Sequence, residues 1–121
     1  MSSPTLHITT EQAGHVTVLT VAGDIDALTA PQFREAVDTA IEQHTTALVL
    51  DLTSVAFMDS MGLRVITSAW RRLPAHGRMA VGGASATIER TLRLVDPEHR
   101  IPLYRDTATA VVMIGSGPRE A

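Results

Sequence analysis

The run Ala47-Leu48-Val49-Leu50-Asp51-Leu52 constrains the fold more than any other stretch of the chain. It is apolar at successive positions, so both faces of the strand it forms must be covered, and it is too short for an ordinary helix. A strand buried on both sides calls for helices above and below it, which is the arrangement of an α/β domain. A short turn then leads to Asp59-Ser60-Met61-Gly62-Leu63, after which Leu63, Ile66, Trp70 and Leu73 recur at helical spacing. The chain thus passes from a buried strand into a helix that begins with Asp, Ser and Gly. Such a junction presents unpaired backbone N–H groups and a hydroxyl at one exposed point.

The flanking segments fit the same architecture. Leu6 to Gln12 and His15 to Ala22 are rich in Thr, Val and Ile, and Ala13-Gly14 between them predicts a tight hairpin turn. Thr29 with Gln32 has the form of a capping box, Pro31 suits a first turn, and Phe33, Ala36, Val37, Ala40 and Ile41 then mark a helix. Pro74 and Gly77 are expected to close the second helix, on which Arg64 and Arg71 share a face away from the apolar stripe. Arg78 to Gly82 reads as a strand, and Ser85 caps a third helix with Ile88, Leu92 and Val95 inward until Asp96-Pro97 ends it. Ile101 to Tyr104 reads as an edge strand, since Pro102 cannot donate to a ladder. Asp106 can cap a last helix through Ile114, although Val111-Val112 suits a strand equally well. By alternation this is a mixed, mostly parallel sheet of about five strands with about four helices packed against it. Residues 1–114 are expected to form one domain and 115–121 a flexible tail.

Composition removes several classes of function. The chain has 121 residues, 45% of them hydrophobic, enough for one core. A net charge of −3 with no run of either sign argues against direct nucleic-acid binding. All ten basic residues are arginines, so no mechanism can use a lysine, and the absence of cysteine excludes thiolate chemistry and disulfides. No segment approaches the roughly 18 apolar residues of a membrane span, and Met1-Ser2-Ser3-Pro4 has no leader character. A cytoplasmic protein without membrane association is expected. His7, His15, His44, His76 and His99 are scattered, with no pair at ligand spacing, and neither a metal nor another cofactor is implied.

The stretch Phe57-Met58-Asp59-Ser60-Met61-Gly62-Leu63 resembles the signature of bacterial anti-anti-sigma factors of the STAS domain family, in which a strand leads through Asp-Ser-Ser-Gly-Leu or Asp-Ser-Thr-Gly-Leu into a helix. Gly23-Asp24-Ile25-Asp26, Gly82 with Ile88 and Leu92, and Ile101-Pro102-Leu103-Tyr104 extend the resemblance over nearly the whole chain. It implies an anti-sigma factor antagonist, not an enzyme, whose partner is an anti-sigma factor with serine kinase activity. In such proteins the hydroxyl just before the glycine takes the regulatory phosphate, and the unmodified form captures the anti-sigma factor. Here Met61 stands at that position and cannot accept phosphate. Ser60, one place earlier, is then the phosphorylation candidate, unless Ser60 or Asp59 serves only as the helix cap. The resemblance places Asp24, Asp26, Met58, Asp59, Ser60, Met61, Gly62 and Arg64 at a partner-binding surface.

Each assignment has a plainer counterpart. Asp24 and Asp26 can be turn residues bonding their own backbone, Met61 can pack on the core, and Arg64 and Arg71 can be solvated. Asp24-Ile25-Asp26 after an apolar strand also matches the Asp-x-Asp of haloacid dehalogenase phosphohydrolases, but the lysine of that chemistry is missing. Ser60 lacks the Gly-x-Ser-x-Gly elbow of a Ser-His-Asp hydrolase. Gly82-Gly83 before Ser85 can either cradle a phosphate or make a tight turn. Within the family, the alternative role is a scaffold subunit of a stress-signalling assembly. That role predicts large self-assemblies, where an antagonist is expected to be a monomer or small homo-oligomer.

Overall fold

The computed structural model describes residues 5–43, 45–73 and 78–115. The elements follow the expected order: β1 (His7–Ala13), β2 (Val16–Ala22), α1 (Ala30–Glu42), β3 (Ala47–Ser54), α2 (Ser60–Arg72), β4 (Arg78–Gly82), α3 (Ala86–Val95), β5 (Leu103–Tyr104) and α4 (Thr107–Gly115). They build one five-stranded sheet in the order β1-β2-β3-β4-β5. Only β1 runs antiparallel to its neighbour; the other pairings are parallel.

The period-two geometry of β3 explains its unbroken apolar run. Leu48, Leu50 and Leu52 enter a core roofed by α1, α2 and α3, with Phe33, Val37, Ile66, Ala69, Ile88 and Leu92 above them. Ala47 and Val49 face the other way, into a smaller core with Val16, Val18 and Ala80 that Ala110 and Ile114 of α4 close. Val111-Val112 therefore belongs to a helix. The sheet's second face needs a cover, and Asp106 starts that helix by accepting the Thr109 amide at 2.7 Å.

Several local expectations shift. The hairpin turn is Gly14-His15, one residue later than expected, because Ala13 pairs with Val16 and Gly14 takes the positive φ of 65° that a two-residue turn needs. The capping box at Thr29 does not form: Thr29 has helical backbone angles (φ −103°, ψ −17°) and its side chain bonds no helix amide. Its hydroxyl donates to the Asp24 carbonyl at 2.7 Å, while Gln32 reaches back to hold both the amide and the carbonyl of Leu6 at 2.9 and 2.8 Å. Val95 is 49% exposed, since it lies in the last turn of α3 beyond the reach of the sheet. β5 shrinks to two residues at the edge, where Pro102 contributes only its carbonyl, accepting from the Val81 amide at 3.0 Å. Gly115 still belongs to α4. Pro74 and Gly77, expected to close α2, together with His44, His76 and the tail 116–121, lie outside the described residues. Among the described residues no helix is long and apolar enough to cross a membrane.

Candidate partner-docking site

Parallel strands β2 and β3 end side by side, and the loops that leave them are laced together. Gly23 donates to the Ser54 carbonyl at 3.1 Å, Ile25 to the Phe57 carbonyl at 2.9 Å, and Asp59 returns a bond to the Ile25 carbonyl at 3.0 Å. Ile25 and Met58 pair as an isolated parallel bridge. The β2–α1 loop with Asp24 and Asp26 is thereby held against the start of α2, although the two segments are distant in sequence.

Asp59 caps α2. Its backbone is extended (φ −96°, ψ −171°), and Oδ1 accepts the Met61 amide at 2.9 Å. The cap role therefore falls to Asp59, and Ser60 opens the helix as an exposed residue whose hydroxyl makes no hydrogen bond among the described residues. Met61 is 43% exposed, so its thioether faces outward and does not pack on the core. Arg64, one turn further, is exposed, as is Arg71. No acidic side chain occupies the first turn of α2, so the carboxylate facing the partial positive charge of the helix start is that of the cap, Asp59.

Two residues expected at the surface lie inside. Met58 is only 8% exposed and Gly62 is buried, because Gly62 is the point where α2 rests on the loop below. A Cβ on Gly62 would stand 2.6 Å from Met58 Cγ and 2.7 Å from Ile25 Cγ2. These residues support the turn from beneath and are not available for contact. Asp26 is largely consumed as well: Oδ1 accepts the amides of Leu28 and Thr29 at 2.9 and 3.1 Å, the local turn role that short carboxylates favour. This also removes it as one half of an Asp-x-Asp acid pair. Asp24, by contrast, is exposed and its carboxylate has no hydrogen bond among the described residues. Sequence reasoning missed Leu28 and Phe57, which are 73% and 50% exposed on the same two laced loops. The signal was available: both are large apolar residues in loops that carry no core periodicity.

The neighbouring junction after β4 is closed. Gly83 has φ 75°, and a Cβ there would run into the Thr53 side chain, while one on Gly82 would stand 2.7 Å from the Thr107 backbone. The glycines thus serve close packing, and Ser85 Oγ is occupied in capping, accepting the Ile88 amide at 3.2 Å. Asp51 lies on this side, its Oδ1 accepting from the amide and hydroxyl of Thr53 at 3.0 and 2.6 Å. Partial burial pushes its pKa up, but the Thr53 bonds, with smaller help from the hydroxyls of Thr107 and Thr20, outweigh that and leave it below the ordinary aspartate value. Among the described residues no group of three His, Asp or Glu side chains could hold a metal ion.

The sequence model of the STAS domain matches residues 7–110. The chain is similar to an anti-sigma-F factor antagonist, RsfB, of Mycobacterium tuberculosis, with 26% identity over 118 residues covering 97% of both chains. It is also similar to an anti-sigma-B factor antagonist of Listeria monocytogenes, with 38% identity over 68 residues, 56% of this chain and 59% of that one. The crystal structure of an anti-sigma factor antagonist from Mycobacterium paratuberculosis superimposes with a TM-score of 0.87 at 26% identity, covering 96% of this chain and 100% of the other.

Proposed function

The chain belongs to the STAS domain family, and from that premise we propose that it is an anti-sigma factor antagonist: in the cytoplasm it binds an anti-sigma factor of the serine kinase type and so releases a sigma factor. It acts by binding and carries out no chemical step of its own. The observation that carries this reading is the start of α2, where Asp59 supplies the cap and so leaves the Ser60 hydroxyl and the Met61 side chain free on the surface. Leu28 and Phe57 add exposed apolar area on the adjoining loops, and Asp24 and Arg64 supply charge at the rim. The names of the relatives from Mycobacterium tuberculosis and Listeria monocytogenes point the same way.

Control by phosphate differs from the family pattern in this reading. A phosphate adds roughly −1.5 to −2 charges at a packed face, where desolvation and repulsion loosen a complex. Met61 cannot carry it, and Ser60 is the one hydroxyl left at this turn, set about 100° around the helix from Met61. Ser60 is therefore a poorer acceptor, and the complex persists in the presence of ATP. The test is a binding screen against the organism's anti-sigma kinases, with and without ATP, comparing the wild type with Met61→Ser. A wild-type complex insensitive to ATP and a Met61→Ser complex that ATP dissolves support the reading. Absence of any complex, or intact complexes with Ser60→Glu, refutes it.

A further inference from the structure

β1 is an edge strand with nothing on its outer side among the described residues, and its pattern of free groups can be worked out. The two-residue turn Gly14-His15 makes Ala13 and Val16 a hydrogen-bonded pair. By alternation, His7, Thr9, Glu11 and Ala13 direct their backbone groups to β2, while Leu6, Ile8, Thr10 and Gln12 direct theirs outward. The side chain of Gln32 occupies the outward amide and carbonyl of Leu6, which agrees with this parity and marks where the open edge begins. The backbone groups of Ile8, Thr10 and Gln12 on that edge have no partner among the described residues.

Edges of this kind are ordinarily blunted by Lys, Pro, a bulge or a covering loop. β1 reads His-Ile-Thr-Thr-Glu-Gln-Ala, with no Lys, Pro or bulge and no covering loop among the described residues, and its seven residues pair with β2 in unbroken register. Beside it, Ile8 and Thr10 meet Gln32, Glu35, Ala36 and Thr39 of α1 across an open groove of about 420 Å³. The strand is also complementary to itself. Turned about a two-fold axis at Thr9, each His7 falls opposite Glu11 of the other copy, on the face away from α1, and each Ile8 exchanges both backbone bonds with the opposing Thr10.

We propose that β1 pairs antiparallel with β1 of a second copy of this chain, centred on Thr9, so that the two sheets join into one continuous sheet across a two-fold dimer. The occupant is a second copy because the hydrogen-bonding edge and the pairing of the His7 imidazole with the Glu11 carboxylate are each met by their own symmetry mates. α2 follows β3, two strands in from this edge, and its start takes no part in this pairing.

The absence of cysteine gives a clean test. Thr9 and its mate form a non-hydrogen-bonded pair with Cα atoms about 4.5 Å apart, within the range of about 4.4–6.8 Å that a disulfide spans. Thr9→Cys is expected to become a covalent dimer on mild oxidation, faster than Thr10→Cys, and the wild type to sediment as a dimer at micromolar concentration. Thr10→Pro removes an outward N–H without touching the ladder to β2, and is expected to give a monomer with an unchanged circular dichroism spectrum. Glu11→Arg should weaken the dimer by about tenfold. A wild type that sediments as a monomer throughout that range, faster crosslinking of Thr10→Cys, or a folded Thr10→Pro that stays dimeric overturns the proposal.

Discussion

The two strand-to-helix junctions after β3 and β4 are built from similar parts and end in opposite states. Both leave parallel strands at the same end of the sheet, both contain glycine packed against a neighbouring element, and both are capped by a short polar side chain. After β4 the capping group is the serine itself, and the glycines pack against Thr53 and Thr107. After β3 the cap is the aspartate one place before the serine, so the hydroxyl and the following side chain are released outward. In the proposed reading, the start of α2 serves docking because the cap lies one place before the serine and leaves the following side chains outward, not simply because amides are there.

The sharpest way to break this contrast is at the closed junction. Gly83→Ala must adopt a left-handed backbone and displace Thr53, and is expected to lose about 3 kcal/mol in urea unfolding, while the folded fraction keeps its affinity for the anti-sigma factor. Gly62→Ala gains helix propensity but drives a methyl into Met58 and Ile25. A net loss of about 1–2 kcal/mol is expected, and because Met58 adjoins Asp59, here binding should fall as well, as isothermal titration would show. Removing the caps compares the two junctions directly: Asp59→Ala and Ser85→Ala should each lower stability by about 1 kcal/mol in thermal melts, but only the first should weaken the complex.

A pH-dependent effect distinguishes the closed side further. Because the folded-state pKa of Asp51 is lowered, its stabilising contribution is present above the unfolded aspartate pKa and disappears as pH falls through the folded value. Asp51→Asn should therefore lose stability at neutral pH and show a flatter acid limb when urea midpoints are followed from neutral to acid. The smallest effect belongs to the ion pair between α2 and α1, Arg72 to Asp38 at 2.7 Å. With both side chains partly in solvent, Arg72→Ala should cost about 0.5 kcal/mol or less in the same measurement.

Much of this was legible in the residues. The apolar run of β3 required cover on both faces, and the stripe Leu63, Ile66, Trp70 and Leu73 set the facing of α2. The turn Asp59-Ser60-Met61-Gly62 could be located but not sorted into inside and outside. Met58 and Met61 are the same residue type three positions apart, yet one is buried and the other exposed, because Met58 still belongs to the bridge with Ile25. Thr29 and Gln32 have the spacing of a capping box, but Asp24, Asp26 and Leu6 compete for the same side chains and win.

What the sequence determined by itself is the order of elements, the family and the chemistry missing at Met61, since periodicity and residue identity are local properties. Tertiary structure alone decided which of Asp59 and Ser60 caps the helix and that Asp26 is spent where Asp24 is free. The bonds themselves are short-range, Asp59 to Met61 and Asp26 to Leu28 and Thr29, but the backbone that presents each carboxylate to them is fixed where the two loops are laced together beside β2 and β3.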